Sequence, residues 1–310
     1  MKNFSMETDP EVLPYESTVK SRRLKVMWKG RYVTALSQGA HRAYLYPLFT
    51  PHGIAVTAEA PVDHPHHQSV SIGIDLFNVY EADDAGPWTG RQNFYTDGTI
   101  RGMAPGRIVS TSMESREVAS DHLQIIQILD WQGPPDWAHP EGPVVATETR
   151  TIDVRPGDQA HMIDIRSQLR PTGADIELGP ALHGYFVIRL ADGLRVADGA
   201  TLVDSEGRIG AQEIRRQRAR WVDCSGKAAY GHSAGVAVFP FPPADTMPWH
   251  LSDWGFIMVN PFRLEARRVS RGDMSDAAVR VIAHDGDVQE ARIPELYEAF
   301  VRELGSPGTL

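Results

Sequence analysis

The sequence contains a single cysteine and no long apolar run. Cys224 is the only cysteine among 310 residues, so no disulfide can form within the chain. No apolar stretch approaches the roughly 20 residues that cross a bilayer, and the opening residues lack the apolar centre of a signal peptide. We therefore expect a cytoplasmic protein with no membrane partner.

Positive charge is also scarce. Forty acidic residues outnumber 31 lysines and arginines, which gives a formal net charge of −9. Binding to a nucleic-acid backbone needs clustered Lys and Arg, and the densest basic run, from Arg215 to Arg220, is short. We interpret that run as a solvated strand edge or loop, and we expect no nucleic-acid partner.

Several common catalytic motifs are missing. The chain has no Gly-x-Gly-x-x-Gly after a strand, no P-loop, no His-Glu-x-x-His and no Cys-x-x-Cys. Each of these spacings serves a particular chemistry: dinucleotide binding, nucleotide phosphate binding, or zinc ligation. A function that depends on one of them is therefore not expected.

Much of the chain alternates apolar and polar residues with the period of two that is typical of strands, as in Val70 to Leu76. Turn residues such as Pro156-Gly157-Asp158 separate these runs. Many short strands between turns predict an all-β fold, a large antiparallel β-sandwich. Further predicted strands are 31–36, 43–48, 107–119, 122–131, 144–154, 160–169, 185–190, 218–224, 235–239, 255–259 and 278–283.

One helix is predicted near the end of the chain, from Pro294 to Leu304, with Gly305 after it. No linker or repeat divides the sequence, so we expect residues 1–24 to form an N-terminal extension and residues 25–310 a single β-sandwich domain. An uncovered sheet edge would allow a homo-oligomer. Residues 81–101 and 240–253 look too irregular for strands, and long polar and aromatic loops are typical places for binding sites.

The densest group of reactive side chains lies in residues 63–69. Imidazole titrates near physiological pH and is the commonest metal ligand, so three histidines within four residues indicate proton transfer, metal binding or substrate capture. If Pro65 keeps this segment extended, alternate side chains face opposite ways. The alternative is three loop histidines bound to backbone carbonyls. The catalytic candidates are His64, His66 and His67, and Asp63 and Gln68 are candidates for substrate binding.

A second group lies between Trp249 and Trp254. Aromatic rings can cover the C–H face of a sugar, while His250 and Asp253 can bind hydroxyls or move protons. The alternative is that both tryptophans pack in the core. We predict that His250 is catalytic and that Trp249, Asp253 and Trp254 bind substrate.

Other binding candidates are scattered. His183 enters a predicted strand, and the following glycine lets another backbone or a ligand approach closely. Arg91, Asn93 and Tyr95 lie in the first irregular stretch and can bind hydroxyls or a carboxylate. Ordinary structural roles are the alternative for each.

The run Asp63-His64-Pro65-His66-His67 resembles the DHPHH signature of a bacterial family labelled methane oxygenase PmoA, or PmoA-like. Residues 221–223, 235–239, 248–250 and 259–262 resemble that family's later motifs, so the resemblance spans roughly residues 25 to 285. It implies carbohydrate metabolism, since similar proteins occur beside sugar dehydrogenases and glycoside-degrading enzymes. The residues that it marks are His64, His66, His67, Trp249, His250 and Asn260, the last as a binding residue.

Two functions are compatible with these residues. The first is a sugar-active enzyme, a lyase, hydratase, epimerase or hydrolase, that uses the histidines for acid/base or metal-assisted catalysis. A divalent metal ion bound by His64, His66 and His250 is the cofactor that this reading allows. The second is a carbohydrate-binding or sensing module without catalysis, in which the same side chains only hold a sugar-like ligand.

Overall fold

The computed structural model describes residues 3–8, 22–83, 86–228 and 231–305. The chain is 53% strand and 8% helical, which confirms the all-β prediction. The described residues form these elements in order: β1 (Phe4–Thr8), β2 (Arg22–Trp28), β3 (Arg31–Gln38), β4 (Ala43–Leu48), β5 (Val70–Ile74), β6 (Phe77–Asp83), β7 (Gly86–Gln92), β8 (Arg107–Ala119), β9 (His122–Gln132), β10 (Val144–Pro156), β11 (Ala160–Pro171), β12 (Asp175–Leu178), β13 (Gly184–Arg189), β14 (Thr201–Asp204), α1 (Ala211–Ile214), β15 (Val222–Lys227), β16 (Ser233–Pro240), β17 (His250–Ser252), β18 (Phe256–Val259), β19 (Arg267–Val269), β20 (Ser275–Asp285) and α2 (Ile293–Leu304).

Two eight-stranded antiparallel sheets form the sandwich. The first sheet has the order β1-β2-β3-β4-β5-β13-β18-β17, and the second has the order β14-β15-β16-β20-β11-β10-β9-β8. A smaller sheet, β19-β12-β6-β7, accompanies them. Strands far apart in sequence, such as β5 and β13, are therefore neighbours.

Alternating side chains divide each sheet into two faces. In β18, Ile257 and Val259 belong to the core between the sheets. Phe256 and Met258 point the other way and pack with Tyr95 and residue 187 in a small separate cluster. We call this side of the first sheet the outer face, and it carries the histidines described below.

The helix α2 covers the outside of the second sheet. It begins at Ile293, has proline in its first turn and is followed by Gly305, close to the predicted limits. Tyr297 and Phe300 pack on Phe239 of β16. No helix in the described part of the chain is long and apolar enough to cross a membrane.

Some expectations about irregular segments were wrong. Residues 81–83 and 86–92 lie in the β6–β7 hairpin, and β17 lies inside the second stretch. Within the predicted N-terminal extension, β1 pairs with β2, so the first sheet uses residues on both sides of position 24. Residues 1–2 and 9–21 lie outside the described residues, and the division into an extension and one domain stays a prediction.

Candidate functional site

The three clustered histidines lie in a tight turn instead of an extended segment. The His64 amide donates to the carbonyl of Pro61 at 3.1 Å, and the His67 amide donates to the carbonyl of His64 at 2.9 Å. The rings of His64 and His67 stack at 5.0 Å, and the ring of His66 lies 4.6 Å from that of His67. His67 therefore does not face away from the other two, as an extended backbone would require.

His67 is the buried member of this turn, with 1% of its surface exposed. Its Nε2 lies 2.6 Å from the hydroxyl of Tyr95. Burial, together with the neighbouring ring of His66, lowers the pKa of His67 to about 2, so the ring is neutral at physiological pH. A neutral, buried imidazole is suited to holding Tyr95 in place.

His66 is half-buried beside an ion pair. Arg42 binds Asp97 at 2.6 Å and also donates to the backbone carbonyl of His66. Burial and the positive charge of Arg42 lower the pKa of His66 to about 4. The ring therefore stays neutral at physiological pH and offers one donor and one acceptor to a ligand.

Trp254 packs against the histidine turn on the side of His64. Its ring stacks on that of His64, with centroids 4.1 Å apart and planes 4° apart. The guanidinium of Arg189 lies 4.9 Å from the Trp254 ring and binds both carboxylate oxygens of Asp63, at 2.8 and 2.9 Å. Asp63 and Trp254, both predicted to bind substrate, thus anchor the histidine turn to β13.

Tyr95 reaches the outer face because its loop crosses over β5. A glycine permits this crossing, since a Cβ at Gly73 would lie 2.4 Å from the carbonyl oxygen of Phe94. The side-chain oxygen of Asn93 accepts the amide of Tyr95 at 2.8 Å and so shapes the loop. Asn93 itself is fully buried, although we predicted that it binds substrate.

The arrangement most typical of acid/base catalysis is at His183. Its Nδ1 lies 2.9 Å from Oδ2 of Asp75, a carboxylate that is only 1% exposed. The side chain of His183 is 28% exposed, and its ring stacks on Tyr95 at 5.2 Å. A buried carboxylate at this distance favours the tautomer with the proton on Nδ1, which leaves the Nε2 lone pair to accept a proton.

The pairing of β5 with β13 creates this contact. Asp75 directly follows β5, and its amide donates to the carbonyl of His183, which directly precedes β13. The two strands approach closely at this end, as shown by the 2.5 Å that would separate a Cβ at Gly184 from the carbonyl oxygen of Gly73. The glycine after His183 therefore accommodates another backbone.

His250, in β17, is the last of the histidines on the outer face. We call these residues the histidine group: His64, His66, His67, His183 and His250. Its ring lies 5.6 Å from that of His183 and 5.0 Å from that of Phe256. Burial and the positive charge of Arg263 lower the pKa of His250 to about 3, so this ring is also neutral. Trp249 points into the core instead, where its Nε1 donates to a backbone carbonyl at 3.0 Å.

The remaining predicted binding residues use their polar atoms elsewhere or lie apart. The side-chain amide of Asn260 donates to one backbone carbonyl at 2.8 Å, and its oxygen accepts a backbone amide at 2.9 Å. Asp253 accepts the amide of Ala211 at 3.1 Å. Arg91 is exposed on β7, and Gln68 is buried after the histidine turn. Substrate binding by these residues stays a prediction.

Sequence reasoning missed Asp75, Arg189 and Arg42. An aspartate at the end of the apolar strand β5 is a usable signal, because a carboxylate beside the core needs a partner. The same argument applies to Arg189, which ends the fully buried strand β13. Arg42 lies in a turn, where its sequence neighbours give no such signal.

The predicted metal ligands do not form a donor set. The rings of His64 and His66 are 5.7 Å apart, whereas His250 neighbours His183. Within residues 3–8, 22–83, 86–228 and 231–305, no group of three or more His, Cys, Asp or Glu side chains is arranged to hold a metal ion. Metal binding by His64, His66 and His250 stays a prediction.

Three solved structures are similar to this chain at low identity and low TM-score. An α-galactosidase from Lactobacillus brevis is 7% identical with a TM-score of 0.41, over 87% of this chain and 39% of that chain. The Slr1438 protein from Synechocystis sp. PCC 6803 is 11% identical with a TM-score of 0.33, over 92% and 100%. A galactose mutarotase related enzyme from Lactobacillus acidophilus is 7% identical with a TM-score of 0.32, over 90% and 97%.

The sequence comparisons correct the family resemblance. None of the curated proteins matches the chain. The resemblance of residues 63–67 to the PmoA-like family was wrong, because no match to that family is found. The model that does match, over residues 23–298, is described as a family of unknown function. Because this match covers most of the sequence, the chain belongs to that family, DUF6807.

Proposed function

We propose that the chain is a sugar-active enzyme in which His183 acts as a general base. The observation that carries the proposal is the 2.9 Å contact between His183 Nδ1 and the buried carboxylate of Asp75. Asp75 orients the imidazole, and its negative charge stabilises the imidazolium that forms when Nε2 takes a proton. A carboxylate shielded from water is effective in this role, since water does not screen its charge.

The surroundings of His183 suit a ligand with many hydroxyl groups. The partly exposed rings of His64, His66 and His250 offer hydrogen-bonding nitrogens around it. The half-buried ring of Trp254, which packs on the cluster of Tyr95 and Phe256, adds apolar aromatic surface beside these nitrogens. Binding sites for small polar ligands combine such surfaces with a few convergent polar groups.

The chemistry that this site supports begins with loss of a proton from the substrate. His183 takes that proton from a sugar hydroxyl or from a carbon beside a keto group, which is the first step of epimerisation or elimination. A positioned general base contributes about 10²–10⁴-fold in rate. We therefore propose lyase, hydratase, epimerase or hydrolase chemistry.

Substitution of His183 tests the proposal. Reducing sugars and keto-sugars are incubated with protein in D₂O, and proton NMR follows product formation and deuterium exchange. We expect His183→Ala to lower kcat by about 10²-fold or more while the dissociation constant changes less than about tenfold. Asp75→Asn should lower kcat without removing the base. The control is His122→Ala, which removes another Asp–His contact (His122 Nε2 to Asp153, 2.6 Å) on the second sheet.

The same experiment decides between an enzyme and a binding module. The low pKa values of His66 and His250 suit hydrogen bonding better than proton donation, which favours a carbohydrate-binding or sensing module as the second candidate. Sugar binding by the unaltered protein without turnover or exchange would contradict the proposal of an enzyme.

The cytoplasmic location and the homo-oligomer stay predictions.

A further inference from the structure

Two arginines lie against the strand positions that flank His250. The Nε of Arg215 donates to the carbonyl of Leu251 at 2.9 Å. The amide of Arg216 donates to the carbonyl of Trp249, also at 2.9 Å. The start of the basic run, which we interpreted as a solvated strand edge or loop, is therefore fixed beside the histidine of β17.

A third arginine approaches the same place from another segment. Arg263 Nη1 lies 3.4 Å from the carbonyl of Leu182, the residue before His183. The positive charges of Arg263, Arg215 and Arg216 all help to lower the pKa of His250, so the three arginines lie near this ring, which is 5.6 Å from that of His183. Burial and the charge of Arg216 lower the pKa of Arg263, which is the effect of a neighbouring like charge.

This positive charge is not balanced within the site. Arg42 pairs with Asp97, Arg189 with Asp63, and the Asp75 carboxylate faces His183. In the part of the chain that the structure describes, no carboxylate forms an ion pair with residues 215, 216 or 263. Arg263 is half-buried, and Arg215 and Arg216 are exposed beside it. Like charges at neighbouring positions repel one another, and binding of an anion relieves that repulsion.

We propose that the substrate is an anionic sugar derivative whose carboxylate or phosphate group binds to Arg215, Arg216 and Arg263. The inference rests on the function proposed for His183 and adds the substrate class. Guanidinium groups bind both anions through paired N–H donors. An anion held at this end places the sugar ring against His183 and His250, where proton removal takes place.

Matched sets of sugars test the inference by calorimetry. D-galactose is compared with D-galacturonate and D-galactose 6-phosphate, and the corresponding glucose compounds form a second set. We expect the anionic members to bind at least about tenfold more tightly than the neutral one, and added salt to weaken only the anionic members. Preference for the uronate or for the phosphate ester identifies the anion.

Arginine variants locate the effect. Arg263→Ala should remove the preference for the anion and change the affinity for neutral sugar less than about twofold. Arg216→Ala, at an exposed position, serves as a second variant if Arg263→Ala fails to fold. The control is Arg116→Ala, an exposed arginine of β8 that contacts Gln124 at 2.8 Å.

The outcomes separate this inference from the proposed function. Equal affinity for neutral and anionic sugars, an anion preference that survives both arginine substitutions, or no binding of any member overturns the inference. Turnover of neutral sugars that depends on His183 then leaves the proposed enzyme intact. Binding of anionic sugars that depends on Arg263, without any turnover, supports the inference and contradicts the enzyme.

Discussion

Individual histidines in this molecule have pKa values that are shifted in opposite directions. The groups that contact each ring determine the direction of the shift. His67 is buried and His250 is half-buried, and neither ring contacts a carboxylate of the described residues, so their pKa values fall to about 2 and about 3. His284 is also buried, and burial alone would lower its pKa, but its hydrogen bond to Asp223 raises the pKa instead. On the outer face, His66, His67 and His250 are thus neutral hydrogen-bonding rings at physiological pH.

The buried, neutral state of His67 predicts a loss of stability in acid. Its pKa is about 2 in the folded protein and about 6.5 in the unfolded chain, so below pH 6.5 the unfolded chain binds the extra proton. His67→Phe removes this dependence. Between pH 7 and pH 5, the unfolding free energy of the unaltered protein should fall by about 2 kcal/mol more than that of the variant.

Urea denaturation at the two pH values measures this difference. His232→Ala serves as the control, because the His232 side chain is exposed and forms no ion pair within the described part of the chain. If the unaltered protein and His67→Phe lose the same free energy between pH 7 and pH 5, the buried neutral state is refuted.

At the scale of elements, the alternation of apolar and polar residues predicted the limits of single strands. It did not predict which strands pair with each other. The alternation of residues 107–119 gave β8 with its observed limits, and the helix was predicted within one residue. The β6–β7 hairpin was not predicted because glycine and proline interrupt its sequence. The strand β17 was not predicted because it has only three residues.

The site shows the same limit. Its histidine turn is visible in one short segment, whereas His183 and Asp75 are 108 residues apart. Only the pairing of β13 with β5 makes them neighbours. No periodicity in the sequence encodes that pairing, so His183 was predicted only as a binding residue and Asp75 was not predicted as part of the site.

The crossing of the loop over β5 predicts a steric effect at Gly73. In Gly73→Ala the new Cβ would lie 2.4 Å from the carbonyl oxygen of Phe94, so the loop that carries Tyr95 must shift. We expect a loss of about 1–3 kcal/mol in the unfolding free energy. Since Tyr95 stacks on His183, sugar turnover should fall as well.

Gly98→Ala is the matched control, because a Cβ at Gly98 in the same loop meets no atom within 4 Å. Denaturation and the NMR turnover assay are applied to both variants. A Gly73→Ala protein with unaltered stability and turnover would show that the loop does not depend on this close approach.

At the scale of the whole molecule, the outward sides of the two sheets carry different features. The first sheet presents the histidine group on its outer face. The second sheet is covered by α2, and Arg280 ties the helix to it through contacts with Asp164 at 2.6 Å and Glu303 at 2.7 Å. The core between the sheets separates the two regions, so stability and the site should respond to different substitutions.

Phe300→Ala tests this separation. Phe300 is 1% exposed and packs against Phe239 and Phe241, so its truncation should lower the unfolding free energy by about 3–5 kcal/mol. Val301→Ala, at the next position but 43% exposed, should change it by less than about 0.5 kcal/mol. Well below the unfolding midpoint, both variants should keep the turnover and sugar affinity of the unaltered protein, because neither residue reaches the outer face. Reduced turnover in folded Phe300→Ala would mean that the helix side of the sandwich is coupled to the histidine site through the core.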